Sequence, residues 1–407
     1  MSATKPEFYF EHGRRACAVH VDWPLIDRCS FWAGLRKVRP YHYTYRTFVK
    51  GRWLGYSVLD VFKREFRGLT SEYYENAIRT GIITLNEQQV TCDTIIKNSD
   101  VLAHRMHRHE PPVTAEPITF IEQTDDLWVV NKPASIPVHP TGRYNHNTVL
   151  GILEASYPAN NRLDRLTSGL MLISLTKERA KQMERAFRDR KVQKEYVCRV
   201  LGEFPEGHIV CDAPILTVSH KLGLNAVRPV EEGGRPCETA FERMSYNGRT
   251  SVVRCYPRTG RTHQIRVHLQ HLGHPIANDP LYANPIVREA LAARAAITDT
   301  GDEMAEGHAQ TDQAKVAQLL QQANERDEAA DAQAQARCEV CATSILPDPS
   351  PDQMCIWLHA AVYAGEGPGQ EQWRYETPLP DWATAEFEGD EKVVAELLAA
   401  TQTNTST

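Results

Sequence analysis

One carboxylate lies between two arginines in a short motif near the middle of the chain. The motif reads NRLDRLTSG over residues 161–169, so that Asp164 is flanked by Arg162 and Arg165. Nearby cations favour the ionised form of a carboxyl group, which suits a nucleophile or an electrostatic stabiliser better than a general acid. Taken alone, the motif is more typical of a surface turn held by salt bridges.

Two basic stretches further along the chain are suited to an anionic ligand. The stretch TGRTHQIRVH at residues 259–268 gathers four cationic or hydrogen-bonding side chains, namely Arg261, His263, Arg266 and His268. The stretch RKVQKEY at residues 190–196 runs into a strand headed by Tyr196. Basic side chains contact phosphates, and a tyrosine stacked on a base contributes about 1–3 kcal/mol. By itself, each stretch is more typical of an exposed basic helix start or of an ordinary strand.

In combination, and in this order, the three stretches resemble the motifs of the RluA-type pseudouridine synthases. WVVNKP at residues 128–133 and PVHPTG at residues 137–142 resemble the opening motif of that family. GHPIAND at residues 273–279, followed by Tyr282, and LHA at residues 358–360 resemble its closing motifs. Several motifs in order make the resemblance specific, although each is weak alone.

The resemblance covers roughly residues 115–385 and points to one branch of the family. HPTGRYNHNTV at residues 139–149 and WRYETPLPDWA at residues 373–383 resemble the eukaryotic enzymes that modify position 32 of the tRNA anticodon loop. The implied partner is therefore RNA, and tRNA in particular.

The resemblance implies a role for each matching residue. Asp164 matches the catalytic aspartate, Tyr196 the tyrosine that stacks on the target uracil, and Arg266 the basic residue paired with the aspartate. Arg162 matches the arginine that fills the gap left by the flipped nucleotide, since extrusion of a base loses a few kcal/mol of stacking. The other expected substrate or RNA contacts are Ile265, His263, Arg165, Lys132 and His139.

Two positions depart from the family pattern. Asn161 stands where the family usually has His before the arginine, and Ser135 stands where Gly follows Lys-Pro-Ala. Neither residue is the nucleophile, so we expect activity to be kept. Asn161 nevertheless changes the hydrogen bonding beside the motif.

The implied reaction isomerises a flipped uridine to pseudouridine without a metal or an organic cofactor. Asp164 either attacks ribose C1′ or removes the 2′ proton, and the detached uracil rotates, rebonds through C5 and loses the C5 proton. A protein that binds RNA and helps tRNA fold without catalysis is the alternative. A riboflavin-pathway deaminase, which some relatives carry, would need an H-x-E motif followed by P-C-x-x-C, and the sequence lacks that pair.

The CEVC sequence at residues 338–341 raises the question of a zinc site. One C-x-x-C supplies two of the four ligands that a closed structural site needs. Cys355 and His359 follow closely in sequence and are conceivable partners. Two cysteines with a local structural role are the favoured interpretation.

Strands dominate the sequence after the Pro111–Pro112 pair. Segments rich in Val, Ile, Tyr and Phe predict strands, namely LWVVNKP, LMLISL, EYVCRVLGEF, TAFERMSY and SVVRCYP. Residues 177–190 predict a helix with apolar residues on one face. Strands without a regular βα alternation favour an α+β fold with a mixed or antiparallel central sheet, as the pseudouridine synthase resemblance also implies.

A smaller unit is predicted before these prolines. Residues 57–67 have helical spacing, Thr70 or Ser71 caps a second helix that extends to about Thr80, and three short strands follow as IITL, QVTC and VLAHRM. GIITLN at residues 81–86 and IKNSDV at residues 96–101 resemble the α-L RNA-binding module of ribosomal proteins. A generic αβ domain is the alternative.

Composition divides the chain into four predicted parts. They are an N-terminal extension at 1–40, the α-L-like module at 41–112, the catalytic domain at 113–385 and a disordered tail at 386–407 that follows a short helix. Residues 286–337 are rich in Ala, Gln, Glu and Asp and predict an acidic insertion, either helical or disordered.

The charge distribution fits a polyanionic partner better than the net charge of −6 does. Residues 1–110 carry 17 Lys/Arg against 12 Asp/Glu, and residues 161–200 carry 11 against 5. No apolar run approaches the roughly 18–20 residues of a membrane span, and no secretory apolar region is evident. We therefore expect reduced cysteines, no membrane association, no obligate protein partner and a cytoplasmic location, with nucleus or mitochondrion as alternatives.

Overall fold

The chain forms two compact units in the computed structural model. The first unit contains Met1–Tyr9, Lys37–Pro111 and Arg337–Thr343, and the second contains Phe10–Arg36, Pro112–Ala336 and Ser344–Thr407. The structure describes residues 8–9, 34–66, 69–154, 159, 161–220, 222–288, 318–319, 321–322, 325, 329, 334, 336–367 and 371–404. Most of the N-terminal extension and most of the acidic insertion lie outside these residues.

The first unit has a four-stranded antiparallel sheet and two helices. Its elements are β1 (Phe8–Tyr9), β2 (Leu35–Val38, at the unit boundary), β3 (Tyr41–Phe48), α1 (Val58–Glu65), α2 (Ser71–Arg79), β4 (Ile83–Leu85), β5 (Gln88–Gln89) and β6 (Val101–Arg108). The sheet order is β3-β6-β4-β5. Both predicted helices and two of the three predicted strands are confirmed.

Side-chain caps explain where the two helices of this unit begin. The hydroxyls of Ser57 and Thr70 accept hydrogen bonds from the third backbone N–H of α1 and of α2, respectively. The predicted strand QVTC is wrong, because pairing ends at Gln89. There the backbone N–H and carbonyl of Thr91 bond to the side chain and N–H of Thr94, which closes a turn instead.

The second unit and the junctions with it contain the remaining elements. They are β7 (Val113–Thr114), β8 (Thr119–Gln123), β9 (Leu127–Lys132), α3 (Val149–Ile152), β10 (Ser168–Ser174), α4 (Lys177–Arg188), β11 (Gln193–Leu201), β12 (His208–Cys211), β13 (Ile215–Ser219), β14 (Leu224–Val227), β15 (Thr239–Tyr246), β16 (Thr250–Pro257), α5 (Gln264–His271), β17 (Ala336–Arg337), β18 (Ser344–Ile345), β19 (Leu358–Glu366), β20 (Gln372–Glu376) and α6 (Asp390–Asn404). The five predicted strands correspond to β9, β10, β11, β15 and β16, and the predicted helix corresponds to α4, which ends two residues earlier.

A nine-stranded mixed sheet forms the framework of the second unit. Its order is β12-β15-β16-β11-β19-β10-β9-β8, with β20 beside β19. Only β10 and β19 run parallel among the pairings of this sheet in the described part of the chain. Six of the seven residues of β10 are buried, as expected for a central strand covered on both faces. The predicted α+β fold with a mixed central sheet is confirmed.

The C-terminal segment is helical where the sequence predicted a disordered tail. Residues 390–404 form α6, and the carboxylate of Asp390 at its start is completely buried. That carboxylate accepts hydrogen bonds from Asn247 Nδ2 at 2.8 Å and Arg249 NH2 at 3.0 Å, and it lies 3.6 Å from Arg199 NH1. An acidic residue at a helix start also interacts favourably with the helix dipole. Asp390 therefore belongs to a buried ion pair and not to a disordered tail.

No helix among the described residues is both long enough and apolar enough to span a bilayer.

Candidate active site

Asp164 lies in the turn that leads into β10. The backbone N–H of Thr167 donates to the carbonyl of Asp164 at 3.1 Å, which closes this turn. Gly169 follows with φ of +112°, and a Cβ at this position would overlap the carbonyl oxygen of Ala360. Since Gly169 pairs with Ala360 in the parallel β10–β19 register, only glycine allows the two strands to approach this closely. The motif therefore holds Asp164 at one end of the central strand pair.

Arg266 on α5 joins Asp164 to a second carboxylate. Its NH1 donates to Asp164 Oδ2 at 3.2 Å, while its Nε and NH2 donate to the two carboxylate oxygens of Asp279 at 2.7 and 2.9 Å. The Asp279 side chain is fully buried, whereas 33% of the Asp164 side chain is exposed. Burial alone would lower the pKa of Arg266, but Asp279 and then Asp164 raise it above its ordinary value. Arg266 is thus a permanent cation with a fixed orientation.

A cleft brings most of the candidate residues together. The candidates that line it are Asp164, Tyr196, Arg266, Arg162, Ile265 and His263. Lys194 and Arg261 line it as well. A single carboxylate, an aromatic ring and several cations in one cleft are suited to a nucleotide of an RNA chain.

Tyr196 is held by a chain of hydrogen bonds that includes Asn161, the residue that stands where the family usually has His. The Tyr196 hydroxyl lies 2.6 Å from the hydroxyl of Tyr363, and Asn161 Nδ2 donates to that same Tyr363 oxygen at 3.2 Å. Asn161 Oδ1 in turn accepts the N–H of Leu172 in β10 at 2.8 Å. Burial raises the pKa of Tyr196 well above its ordinary value, so the phenol is neutral. The substituted asparagine thus has a defined hydrogen-bonding role.

His263 occupies the N-cap of α5 in the left-handed conformation, with φ of 57°. Its Nε2 lies 3.7 Å from Asp164 Oδ2, and its Nδ1 lies 3.0 Å from the hydroxyl of Tyr282. Burial lowers the pKa of His263, although the carboxylate of Asp164 opposes this shift. Burial likewise lowers the pKa of Lys194 to about 8, while its ammonium donates to the carbonyl of Thr259 at 3.0 Å.

Three expected RNA contacts do not line the cleft. Lys132 is completely buried, and its ammonium donates to the carbonyls of Pro133 and Ile136 at 2.9 and 3.0 Å. This corrects the expected RNA contact of Lys132, because its side-chain nitrogen joins backbone segments instead. Arg165 lies with its guanidinium carbon 5.8 Å from the centre of the Tyr144 ring.

His139 is half-buried, and burial followed by the charge of Arg162 lowers its pKa. His268, which belongs to the same sequence stretch as His263, is completely buried. Its ring nitrogens contact Thr239 Oγ1 at 3.0 Å and the carbonyl of Ala213 at 2.9 Å. It belongs to the core below the cleft.

The site contains two residues to which the sequence assigned no role. Asp279 ends the GHPIAND motif, so its position was noticed although its pairing with Arg266 was not. Tyr363 lies in the apolar strand β19 and had no local signal, because its partner Tyr196 is 167 residues away in sequence. A shift in strand register between Glu195 and Tyr196 lies at this point of β11, and such bulges re-aim side chains.

Comparison with known proteins identifies the class of this site. A family model described as RNA pseudouridylate synthase matches residues 126–271, which include Asp164, Tyr196 and Arg266. The chain belongs to this family, in its RluA-type branch, and it is an RNA pseudouridine synthase, an isomerase.

Its relatives include several eukaryotic enzymes. A protein of Saccharomyces cerevisiae named tRNA pseudouridine(32) synthase, mitochondrial, is 42% identical over 86% of this chain and 77% of its own length. The human pseudouridylate synthase RPUSD2 is 40% identical over 88% of this chain and 75% of its own. RNA pseudouridine synthase 7 of Arabidopsis thaliana is 35% identical over 87% of this chain and 88% of its own.

Proposed function

We propose that this synthase modifies uridine 32 of the tRNA anticodon loop, with Asp164 as its catalytic residue. The observation that carries the assignment of Asp164 is its geometry. It is the carboxylate in the cleft that is partly exposed while Arg266 holds one of its oxygens at 3.2 Å. A reacting group needs both access to the substrate and a fixed orientation.

Each neighbouring side chain has a distinct proposed role in the isomerisation. Tyr196 stacks on the flipped uracil, and Ile265 forms the apolar wall beside it. Arg162 is exposed at the cleft and occupies the gap that the flipped nucleotide leaves in the RNA. Lys194, Arg261 and His263 are close enough to the cleft to bind phosphate or ribose oxygens.

The reaction itself needs no change in oxidation state. The Asp164 carboxylate either attacks C1′ of the ribose or removes its 2′ proton, and in both routes the bond from C1′ to N1 of uracil breaks. The uracil turns within the cleft and forms a bond from C5 to C1′. In the first route the bond from Asp164 to C1′ breaks as C5 bonds to C1′, and in the second route C2′ regains its proton. The C5 proton then leaves, N1 takes up a proton, and Asp164 is regenerated as a carboxylate.

The first unit is the proposed RNA-binding module. Asn86 and Asp100, the polar residues that the pattern of its two α-L-like motifs specifies, hydrogen-bond each other at 2.8 Å from Nδ2 to Oδ1. Asn86 Oδ1 also accepts the N–H of Val101, and Asp100 Oδ2 accepts the N–H of Lys97. The motif residues thus fix the two loops that flank β4 and β6, which supports the resemblance to that module.

The names of the relatives support tRNA as the substrate. They leave position 31 of the tRNA as a second candidate for the modified uridine. One yeast relative is named for position 32, while another, tRNA pseudouridine(31) synthase, is 32% identical over 86% of this chain. The higher identity favours position 32. We also propose a cytoplasmic location, although the name of the yeast position-32 enzyme includes the word mitochondrial.

Mapping of pseudouridine in cells tests the substrate. Total RNA from cells without the protein, complemented with the wild type or with Asp164→Ala, is sequenced after carbodiimide treatment. Loss of the signal at position 32, restored by the wild type alone, supports the proposal, and loss at position 31 instead would replace it. A fluorescent fusion of the full chain distinguishes cytoplasm from mitochondrion and nucleus.

A further inference from the structure

Two histidines of the first unit face the same side of strand β6. His107 lies within the strand and His109 directly follows its last residue. Because successive side chains of an extended chain alternate between faces, residues two apart point the same way. The ring centroids of His107 and His109 are accordingly 5.0 Å apart.

A tight turn places two cysteines beside these histidines. The N–H of Cys338 donates to the carbonyl of Thr343 at 2.9 Å, and the N–H of Ala342 donates to the carbonyl of Cys338 at 2.8 Å. Ala342 adopts the left-handed conformation with φ of 57°, which is uncommon for a residue with a Cβ. The turn brings the sulfurs of Cys338 and Cys341 to the same side, at the spacing C-x₂-C that zinc sites use.

Three distances between the four side chains are close to the edges of a tetrahedral metal site. Cys341 Sγ lies 3.2 Å from His109 Nε2 and 3.4 Å from His107 Nδ1, and Cys338 Sγ lies 3.5 Å from His107 Nδ1. All four ligand atoms lie within 4.8 Å of one another. Bond lengths of about 2.3 Å to sulfur and about 2.0 Å to nitrogen imply tetrahedral edges of about 3.3–3.8 Å.

We propose that His107, His109, Cys338 and Cys341 bind one zinc ion in a closed structural site. Two thiolates and two imidazoles are the donor set that zinc favours over magnesium or calcium. Four protein ligands leave no position for a substrate or a reactive water, which is the arrangement of structural zinc and not of catalytic zinc. None of the four residues lines the cleft that contains Asp164.

The site joins two segments that are far apart in the sequence. The contacts of Cys338 and Cys341 with the histidines span 231 to 234 residues. The sequence stretch that precedes Cys338 is the Ala- and Gln-rich insertion. Zinc would therefore fix residues 338–341 against β6 within the first unit, and its binding free energy would contribute to the stability of that unit.

The partners suggested by sequence proximity, Cys355 and His359, have other contacts. His359 Nδ1 lies 2.9 Å from Ser168 Oγ, and its Nε2 lies 2.7 Å from Thr377 Oγ1. The carbonyl and the sulfur of Cys355 both lie within hydrogen-bonding distance of Asn278 Nδ2. The second pair of ligands is thus supplied by β6 and the residue just after it, from a much earlier part of the chain.

Metal content of the purified full chain tests the proposal. The protein is produced in zinc-supplemented medium, without a histidine tag, and analysed by plasma mass spectrometry. We expect about one zinc per chain for the wild type and about a tenfold loss in Cys341→Ser and in His109→Ala. Cys92→Ser is the matched control, because Cys92 is a thiol of the same unit outside the cluster, and it should retain the wild-type content.

Cobalt substitution of the wild type gives a result that does not depend on the folding of variants. The expected spectrum shows thiolate-to-cobalt charge-transfer bands and the ligand-field bands of a tetrahedral ion, and zinc should displace the cobalt. Wild-type protein without stoichiometric zinc and without such bands would overturn the proposal. So would a disulfide between Cys338 and Cys341 in protein purified under anaerobic conditions.

Discussion

Replacement of Asp279 by asparagine removes the charge that orients Arg266 and keeps the size of the side chain. In the wild type, the two Asp279 oxygens accept from Nε and NH2 of Arg266, while Oδ1 also accepts the N–H of Leu281 and of Tyr282. An asparagine oxygen can keep the backbone contacts. Its amide nitrogen must then face an arginine N–H, so one charge-assisted hydrogen bond is lost.

The expected effect on catalysis follows from the strength of that bond. A hydrogen bond to a charged group contributes about 1.5–3 kcal/mol. If the whole of this free energy is lost from the positioning of Asp164 by Arg266, kcat should fall by about 10- to 150-fold. Binding of tRNA should change little, because Asp279 is fully buried and does not line the cleft.

Single-turnover conversion of an unmodified tRNA transcript measures this effect, with filter binding as the measure of affinity. Asp390→Asn is the matched control, since it also weakens a buried carboxylate that pairs with arginines in the second unit, but away from the cleft. Both variants should unfold more readily, by up to about 3–5 kcal/mol, and only Asp279→Asn should slow the reaction. A kcat within twofold of the wild type in folded Asp279→Asn would refute the reasoning.

Three further outcomes are expected. Tyr363→Phe should lower kcat about fivefold, since the Tyr196 hydroxyl loses a bond of about 1 kcal/mol, and a rate equal to the wild type would contradict this. Because the pKa of Lys194 is lowered to about 8, it is cationic below and neutral above that pH. The ratio kcat/KM should therefore decrease above about pH 8, and Lys194→Arg should remove the decrease; an unchanged profile would count against Lys194. Gly169→Ala should reduce the free energy of unfolding by about 2–4 kcal/mol in urea titrations, and a change below about 0.5 kcal/mol would show that the β10–β19 approach tolerates a Cβ.

The sequence was informative about the site where a role depends on local spacing. Asp164 and the Arg162 beside it share one motif, and Arg266 and Ile265 share another, so their positions could be read from short stretches. The pairing of Arg266 with Asp279 spans 13 residues across a turn after α5, and spacing alone does not reveal it. The hydroxyl pair of Tyr196 and Tyr363 depends on the antiparallel pairing of β11 with β19, which only the assembled sheet defines.

Composition and motifs led to wrong predictions for two charged residues that are buried in the structure. Asp390 was assigned to a disordered tail, yet its carboxylate has no exposed area and pairs with the buried Arg199 and the partly exposed Arg249. Lys132 was assigned to RNA on the basis of its motif, yet it is completely buried among backbone carbonyls. In both cases the tertiary partners decide the role of the charge, and these partners cannot be read from neighbouring residues.

The central claim is that the Asp164 carboxylate carries out the isomerisation while the rest of the cleft binds the RNA. The most direct measurement is pseudouridine formation by purified Asp164→Asn on an unmodified tRNA transcript, together with its affinity for the same transcript. We predict no detectable pseudouridine and an affinity within a few fold of the wild type. Pseudouridine formation at a rate similar to that of the wild type would contradict the claim.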